Sequence, residues 1–226
     1  MVPRRPARMP LVIRALARHD GTMPAPTTDV LFFDGFDDLD AVGPLEVLTA
    51  AGFPVRAVSF PDAATTVHSA HGLSLAVGAS LGDRPELLLI PGGGWFDEGP
   101  GARALADHGE LPARLAALHA AGTILASVCT GAMLLATASL LAGRPAVTNR
   151  HALEALRAAG ADVHADARVV DDGDMVTAGG PAAGLDLAVH LVGRFLGPEA
   201  GSRAAARLEH TPVGPVLTRP DMRAEG

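Results

Sequence analysis

The 226-residue sequence has no tyrosine, a single tryptophan and a single cysteine, and all 18 of its basic residues are arginine. Without lysine the chain cannot carry the GxxxxGK[ST] phosphate loop, so its one dense glycine run, Gly92-Gly93-Gly94, must serve another purpose. One cysteine cannot form an internal disulfide, and small secreted scaffolds usually carry an even, larger set. The expected compartment is the reducing cytoplasm. Long apolar runs are also missing: ILASVC and AMLLATASLLA fall short of the roughly 18 residues that a membrane-spanning helix needs. Excess positive charge is absent too. The formal net charge is −7, and five arginines lie within residues 1 to 22 beside one acid, Asp20. The remainder is therefore more acidic still and repels nucleic acid.

What is present suits a folded core. Apolar residues make up 48% of the chain and charged ones 19%, far from the composition of disordered proteins. The length fits one α/β domain. The Arg-rich start contains no apolar stretch of the about 7 to 15 residues found in a signal peptide. Residues 1 to 27 are expected to form a disordered extension, with Met23 an alternative start; a basic binding arm is the other reading. No internal repeat is visible.

The hydrophobic pattern alternates strand and helix. DVLFF (29–33) precedes a helical stretch from Pro44 to Ala51 that Gly52 stops. PVRAVSF (54–60) reads as a second strand and TVHSAHGLSLAV (66–77) as a hairpin turning at His71-Gly72. ELLLIPGGG (86–94) is a buried strand that ends in a tight loop, and a helix over about 102–120 carries possible breaks at Gly109 and Pro112. TILASV (123–128) is another buried strand, followed by a helix from Thr130 to Leu141. Short strands are expected at 146–148, 167–170 and 175–178, and a last core helix bears the stripe Leu185, Ala188, Val189, Val192, Phe195 and Leu196. Such alternation predicts a mostly parallel central sheet with helices on both faces, and functional loops at the carboxyl ends of the strands. The domain is expected over 28–198, with a C-terminal helix and tail over 199–226.

Cys129 falls where a buried strand gives way to a helix, in Ser127-Val128-Cys129-Thr130-Gly131. Elsewhere a lone apolar-segment cysteine is inert core. At a nucleophile elbow, helix N-terminal amides are expected to favour thiolate and lower the pKa. A nucleophile that generates an oxyanion needs two aimed N–H donors, and the amides of Gly93 and Thr130 are the expected pair. Trp95 and Phe96 follow the glycine loop and, with Gly92, are candidates for the wall of a small-substrate pocket; core or dimer packing is the equal alternative for the two aromatics. Four carboxylates follow the first strand: Asp34, Asp37, Asp38 and Asp40. Asp37 or Asp38 suits a helix cap. Asp40, if held beside Cys129 in an apolar cleft, would have a raised pKa and serve as general acid and base. His68 and His71 have metal-like spacing but no third ligand nearby, so no metal is expected. Asp186 reads as a carboxylate at a helix N-terminus and His190 as a packed surface histidine.

The segments LFFDGFDDLDAVGPLEVL, LLLIPGGG, ASVCTGAMLLATASLLAGRPAVTNRHALEAL and MVTAGGPAAGLDLAVHLV together resemble the ThiJ/PfpI branch of the class I glutamine-amidotransferase-like superfamily. The SVCTGA and LDAVGP wording most resembles isonitrile hydratases and the sensor domains of AraC-type regulators. The resemblance implies a flavodoxin-like three-layer sandwich, Cys129 as nucleophile, Asp40 as the acid beside it, and Gly93 and Thr130 at the oxyanion-binding positions. It further implies no cofactor, a small-molecule substrate, Thr130 as the orienter of the acid or of water, and a homodimer. Many relatives have histidine where this chain has Asn149, which places a Cys-His hydrolase mechanism in doubt unless His151 takes its place; His151 otherwise starts an exposed helix. A redox sensor and a cysteine amidase or glyoxalase-type hydrolase are the alternatives to a hydratase. A regulator is disfavoured, because residues 199–226 are too few for a DNA-binding domain.

Overall fold

The computed structural model describes residues 24–61 and 66–219; the Arg-rich start lies outside them. β1 (Thr28–Phe32) is buried along its whole length and runs into α1 (Asp38–Ala50). The helix begins six residues before Pro44, which is where the hydrophobic spacing had placed its start. Asp37 caps it by accepting the Leu39 N–H at 3.2 Å, so Pro44 lies inside the helix. Because proline has no N–H, the Asp40 carbonyl lacks its helical donor. β2 (Val55–Ser59) follows, then the expected hairpin, formed by β3 (Val67–His68) and β4 (Ser74–Leu75).

β5 (Leu87–Ile90) leads to α2 (Ala102–His108) and α3 (Glu110–Ala120). The break between these helices is Gly109, at φ 79, while Pro112 sits in the first turn of α3, where its missing N–H costs nothing. β6 (Ile124–Val128) feeds α4 (Gly131–Thr137), which stops short of the expected Leu141. β7 (Pro145–Ala146), a 3-10 turn (Arg150–Ala152), α5 (Leu153–Ala158) and β8 (Asp162–Val163) come next. The strand expected at 146–148 is a correction: β7 pairs with β8 in a separate two-stranded sheet, because Val147 and Thr148 turn toward the site. β9 (Val169–Asp171), β10 (Met175–Ala178), α6 (Ala183–Leu196), α7 (Pro198–Arg207) and β11 (Val216–Thr218) complete the chain.

The central sheet has the order β11-β9-β10-β6-β5-β1-β2. The five strands from β10 to β2 are parallel, and only the β9 and β11 end runs the other way. α1, α6 and α7 pack together on one side, and α2, α3 and α4 on the other, giving a three-layer α/β sandwich. Both faces of β1, β5 and β6 are covered, which is why their sequences are continuous apolar runs. Thr27 fixes the entry to β1 through its N–H to Glu86 Oε2 at 2.7 Å. Among the described residues no helix is long and apolar enough to cross a membrane.

Candidate active site

The carboxyl ends of β1, β5, β6 and β10 are neighbours in the sheet, and each delivers one part of the site. After β1 comes Asp40, in the first turn of α1; after β5, Gly92 and Gly93; after β6, Cys129 and Thr130; after β10, Gly179 and Gly180. Strand order reverses at β1, with β2 on one side and the parallel β5 on the other, the kind of switch point where open α/β sheets form crevices.

Cys129 has φ 56, a left-handed conformation that costs a non-glycine residue about 1–2 kcal/mol. Three hydrogen bonds hold it there. Its N–H reaches the carbonyls of Ala178 at 3.1 Å and Gly179 at 2.8 Å, and its own carbonyl accepts from Thr148 Oγ1 at 2.7 Å. The turn also needs Gly131, where a Cβ would lie 2.4 Å from the Ile90 carbonyl oxygen. The strand-to-helix elbow therefore exists as expected.

The acids after β1 divide their duties. Asp34 accepts the His68 N–H at 2.8 Å, Asp38 pairs with His71 Nδ1 at 2.8 Å, and Asp37 caps α1. The two histidines thus dock the hairpin on two different carboxylates. Asp40 alone turns inward. It is fully buried, its Oδ2 accepts the Gly92 N–H at 3.0 Å, and its Oδ1 has no hydrogen-bond partner. Burial, with a smaller push from the charge of Asp37, raises its carboxyl to about 7, against the lowering effects of the Gly92 N–H and the Cys129 thiol. A carboxyl poised there can both give and take a proton at neutral pH.

The thiol behaves oppositely to the sequence expectation. Cys129 is 6% exposed, and burial pushes its thiol up to about 12; the charge of Asp40 adds to the rise, while the Asn149 side chain and the Thr130 N–H oppose it. Desolvation and a neighbouring carboxylate outweigh the amides at the start of α4, which is only seven residues long.

The two residues of the expected oxyanion pair, Gly93 and Thr130, are bonded to each other. The Gly93 N–H is already committed to Thr130 Oγ1 at 3.1 Å, because the loops after β5 and β6 pack so closely that the hydroxyl fills the space in front of it. Gly92 takes part through its lack of a side chain: a Cβ there would lie 2.5 Å from Thr130 Oγ1 and 3.0 Å from Asp40 Oδ2. Trp95, a candidate for the pocket wall, packs instead into the core, 9% exposed, with the Arg103 guanidinium 4.6 Å from its ring centroid. Its neighbour Phe96 is 58% exposed and meets the His151 ring edge-on.

Asn149 donates Nδ2–H to Cys129 Sγ at 3.2 Å, and the His151 backbone N–H donates to Asn149 Oδ1 at 3.0 Å. His151 therefore bears on the site through its main chain, with its ring turned to Phe96. A cavity of about 800 Å³ opens beside Asn149 and His151, lined further by Arg168 and Gly180. Asp186, read as a helix N-terminal carboxylate, is buried in the first turn of α6, where it binds Arg168, His210 and the Val213 N–H. His190 pairs with Asp171 at 2.7 Å. Sequence reasoning missed Thr148, Gly179 and Gly180 as supports of the elbow; the Gly-Gly pair directly after a buried strand was the available signal.

Comparison with known proteins agrees with this architecture. The model of the DJ-1/PfpI family matches residues 28–194. An isonitrile hydratase of Pseudomonas putida is 30% identical over 187 residues, 82% of this chain and 78% of that protein. A Parkinson disease protein 7 homolog of Danio rerio is 23% identical over 184 residues, 79% of this chain and 94% of that protein. Among solved structures, a ThiJ/PfpI family protein from Pseudomonas syringae superposes with a TM-score of 0.74 at 26% identity, covering 94% of this chain and 84% of that one.

Proposed function

The chain belongs to the DJ-1/PfpI family, and from that premise we propose that it is a cofactor-free cysteine enzyme that hydrates an isonitrile to an N-substituted formamide. One observation carries the reading. The groups acting on the Cys129 sulfur are the Asp40 carboxyl, the neutral Asn149 amide, the Thr130 N–H and, more weakly, the charge of Asp37, so Asp40, the buried carboxyl among them, is the proton carrier.

The chemistry follows from that pair. Cys129 starts as a thiol, and the Asp40 carboxylate accepts its proton as the sulfur attacks the terminal isonitrile carbon. Asp40 then returns this proton to the same carbon, leaving a thioimidate, R–N=CH–S–Cys129. Water adds across the C=N bond, its hydroxyl to carbon and its proton to nitrogen. Cleavage of the C–S bond releases the formamide, while Asp40 moves the hydroxyl proton back to sulfur. One carboxyl carries both transfers: the thiol proton stays on the formyl carbon of the product, and a proton from water restores the thiol. No oxyanion forms in the first step, which accords with a Gly93 amide already engaged by Thr130.

The alternatives fit less well. An amidase must stabilise an oxyanion on attack and protonate a leaving amine, and neither a free amide pair nor a histidine ring at the sulfur supports that. A redox sensor needs thiolate character in the resting protein, whereas hydration removes the thiol proton through Asp40 only as the bond to carbon forms. The reading extends to a homodimer, supported by Leu39 and Val42 on α1 at 41% and 39% exposure and tested by sedimentation of the purified chain.

The test of the activity is formamide production from simple alkyl and aryl isonitriles. The expected result is turnover by the native chain that both Cys129→Ala and Asp40→Asn abolish. Absence of turnover by folded native protein, or its persistence in Cys129→Ala, overturns the assignment.

A further inference from the structure

Asn149 is the residue at the sulfur whose role the hydration scheme leaves unassigned. Its position is fixed from three sides. Oδ1 is claimed by the His151 N–H at 3.0 Å, which determines the orientation of the amide: an oxygen cannot be exchanged for a nitrogen in front of an N–H donor. Nδ2–H is thereby turned to Cys129 Sγ, 3.2 Å away. On the remaining side lies Gly180, where even a Cβ would come within 3.0 Å of Asn149 Nδ2. The adjacent Thr148 hydroxyl holds the Cys129 carbonyl at 2.7 Å, so residues 148 and 149 grip the nucleophile at its main chain and at its side chain.

We propose that Asn149 is a third catalytic residue, a preoriented neutral donor that stabilises negative charge on the Cys129 sulfur during attack without supplying a competing base. It rests on the reading of Cys129 as nucleophile, although not on the identity of the electrophile. The charged groups that bear on the sulfur are Asp40 and, more weakly, Asp37. Both are acids and both disfavour thiolate. A cationic imidazolium at position 149 would favour thiolate but would also hold a second titrating proton beside Asp40. A fixed amide supplies part of the stabilisation and leaves the proton inventory at one. Its benefit grows as charge develops on sulfur, the feature that separates transition-state stabilisation from mere ground-state contact.

The same amide also caps the 3-10 turn at Arg150–Ala152, so the experiment must separate donor from cap. Asn149→Asp keeps the oxygen that accepts the His151 N–H but sets a negative charge beside the sulfur in place of the Nδ2–H donor. Asn149→Ala removes both. The readout is the pH dependence of Cys129 alkylation by iodoacetamide, with circular dichroism and thermal melting to verify the fold. Losing a hydrogen bond to a charged acceptor moves the apparent thiol pKa upward, by about 10-fold to 100-fold in the thiolate equilibrium. The expected result is an upward shift in both variants, larger in Asn149→Asp, with about 10-fold or greater loss of alkylation rate at fixed pH. An unshifted profile in folded Asn149→Ala, which removes the donor without adding charge, reduces Asn149 to a turn cap and overturns the proposal. Because iodoacetamide replaces the substrate, failure of isonitrile hydration leaves this result readable.

Discussion

The Gly93 N–H donates to Thr130 Oγ1 at 3.1 Å, tying the loop after β5 to the elbow after β6. Removing that hydroxyl leaves the Gly93 amide facing an apolar group, which costs about 1–2 kcal/mol. Thr130→Val is therefore expected to lower stability by that amount in urea titration and to reduce turnover. Thr130→Ser keeps the acceptor and should restore most of both. Equal loss in the two variants would assign the effect to packing alone.

Asp40 makes stability depend on pH in an unusual direction. Its folded carboxyl sits at about 7 against an ordinary value of 3.8, so between these values the folded state binds more protons than the unfolded one. Stability contributed by this group is present below about pH 4 and is lost as pH rises toward 7. Asp40→Asn escapes the loss. It is expected to match native stability near pH 4 and to exceed it at pH 8, by up to about 4 kcal/mol. Thermal melts at the two pH values check the sign.

Cys129 should be slow to alkylate at neutral pH compared with free cysteine, because its thiol is pushed up to about 12. Deleting the negative charge of Asp40 removes one cause of that rise, so Asp40→Asn is expected to alkylate faster than the native chain while losing turnover. Alkylation no faster in that variant would show that burial, and not the Asp40 charge, sets the rise.

The positive φ of Cys129 supplies a stability test independent of chemistry. At an ordinary buried site alanine is preferred to glycine, whereas at φ 56 the Cβ is a liability. Cys129→Gly is expected to be more stable than Cys129→Ala by about 1 kcal/mol, measured by chemical denaturation of both inactive variants.

Much of the fold was legible because buried parallel strands write themselves as continuous apolar runs. DVLFF, ELLLI and TILASV correspond to β1, β5 and β6, and the glycines and cysteine that follow them locate the site. Less was legible where local pattern and tertiary contact disagree. Pro44 read as a helix start, but the Asp37 cap begins α1 earlier; Val147 and Thr148 read as strand, but hydrogen bonds to Thr177 and Cys129 draw them into a loop.

By itself the sequence determined the three-layer α/β class, the elbow at Cys129 and the candidacy of Asp40, since each depends on residue type and near-neighbour spacing. Tertiary structure alone decided how those groups behave. Whether a thiol is lowered by a helix start or raised by burial depends on how much water the packed loops exclude. Whether Gly93 offers its amide depends on a hydroxyl 37 residues away. That Asn149 faces the sulfur with nitrogen depends on the His151 N–H. Desolvation and hydrogen-bond direction are properties of the assembled site, and they arise only once β1, β5, β6 and β10 bring their carboxyl ends together.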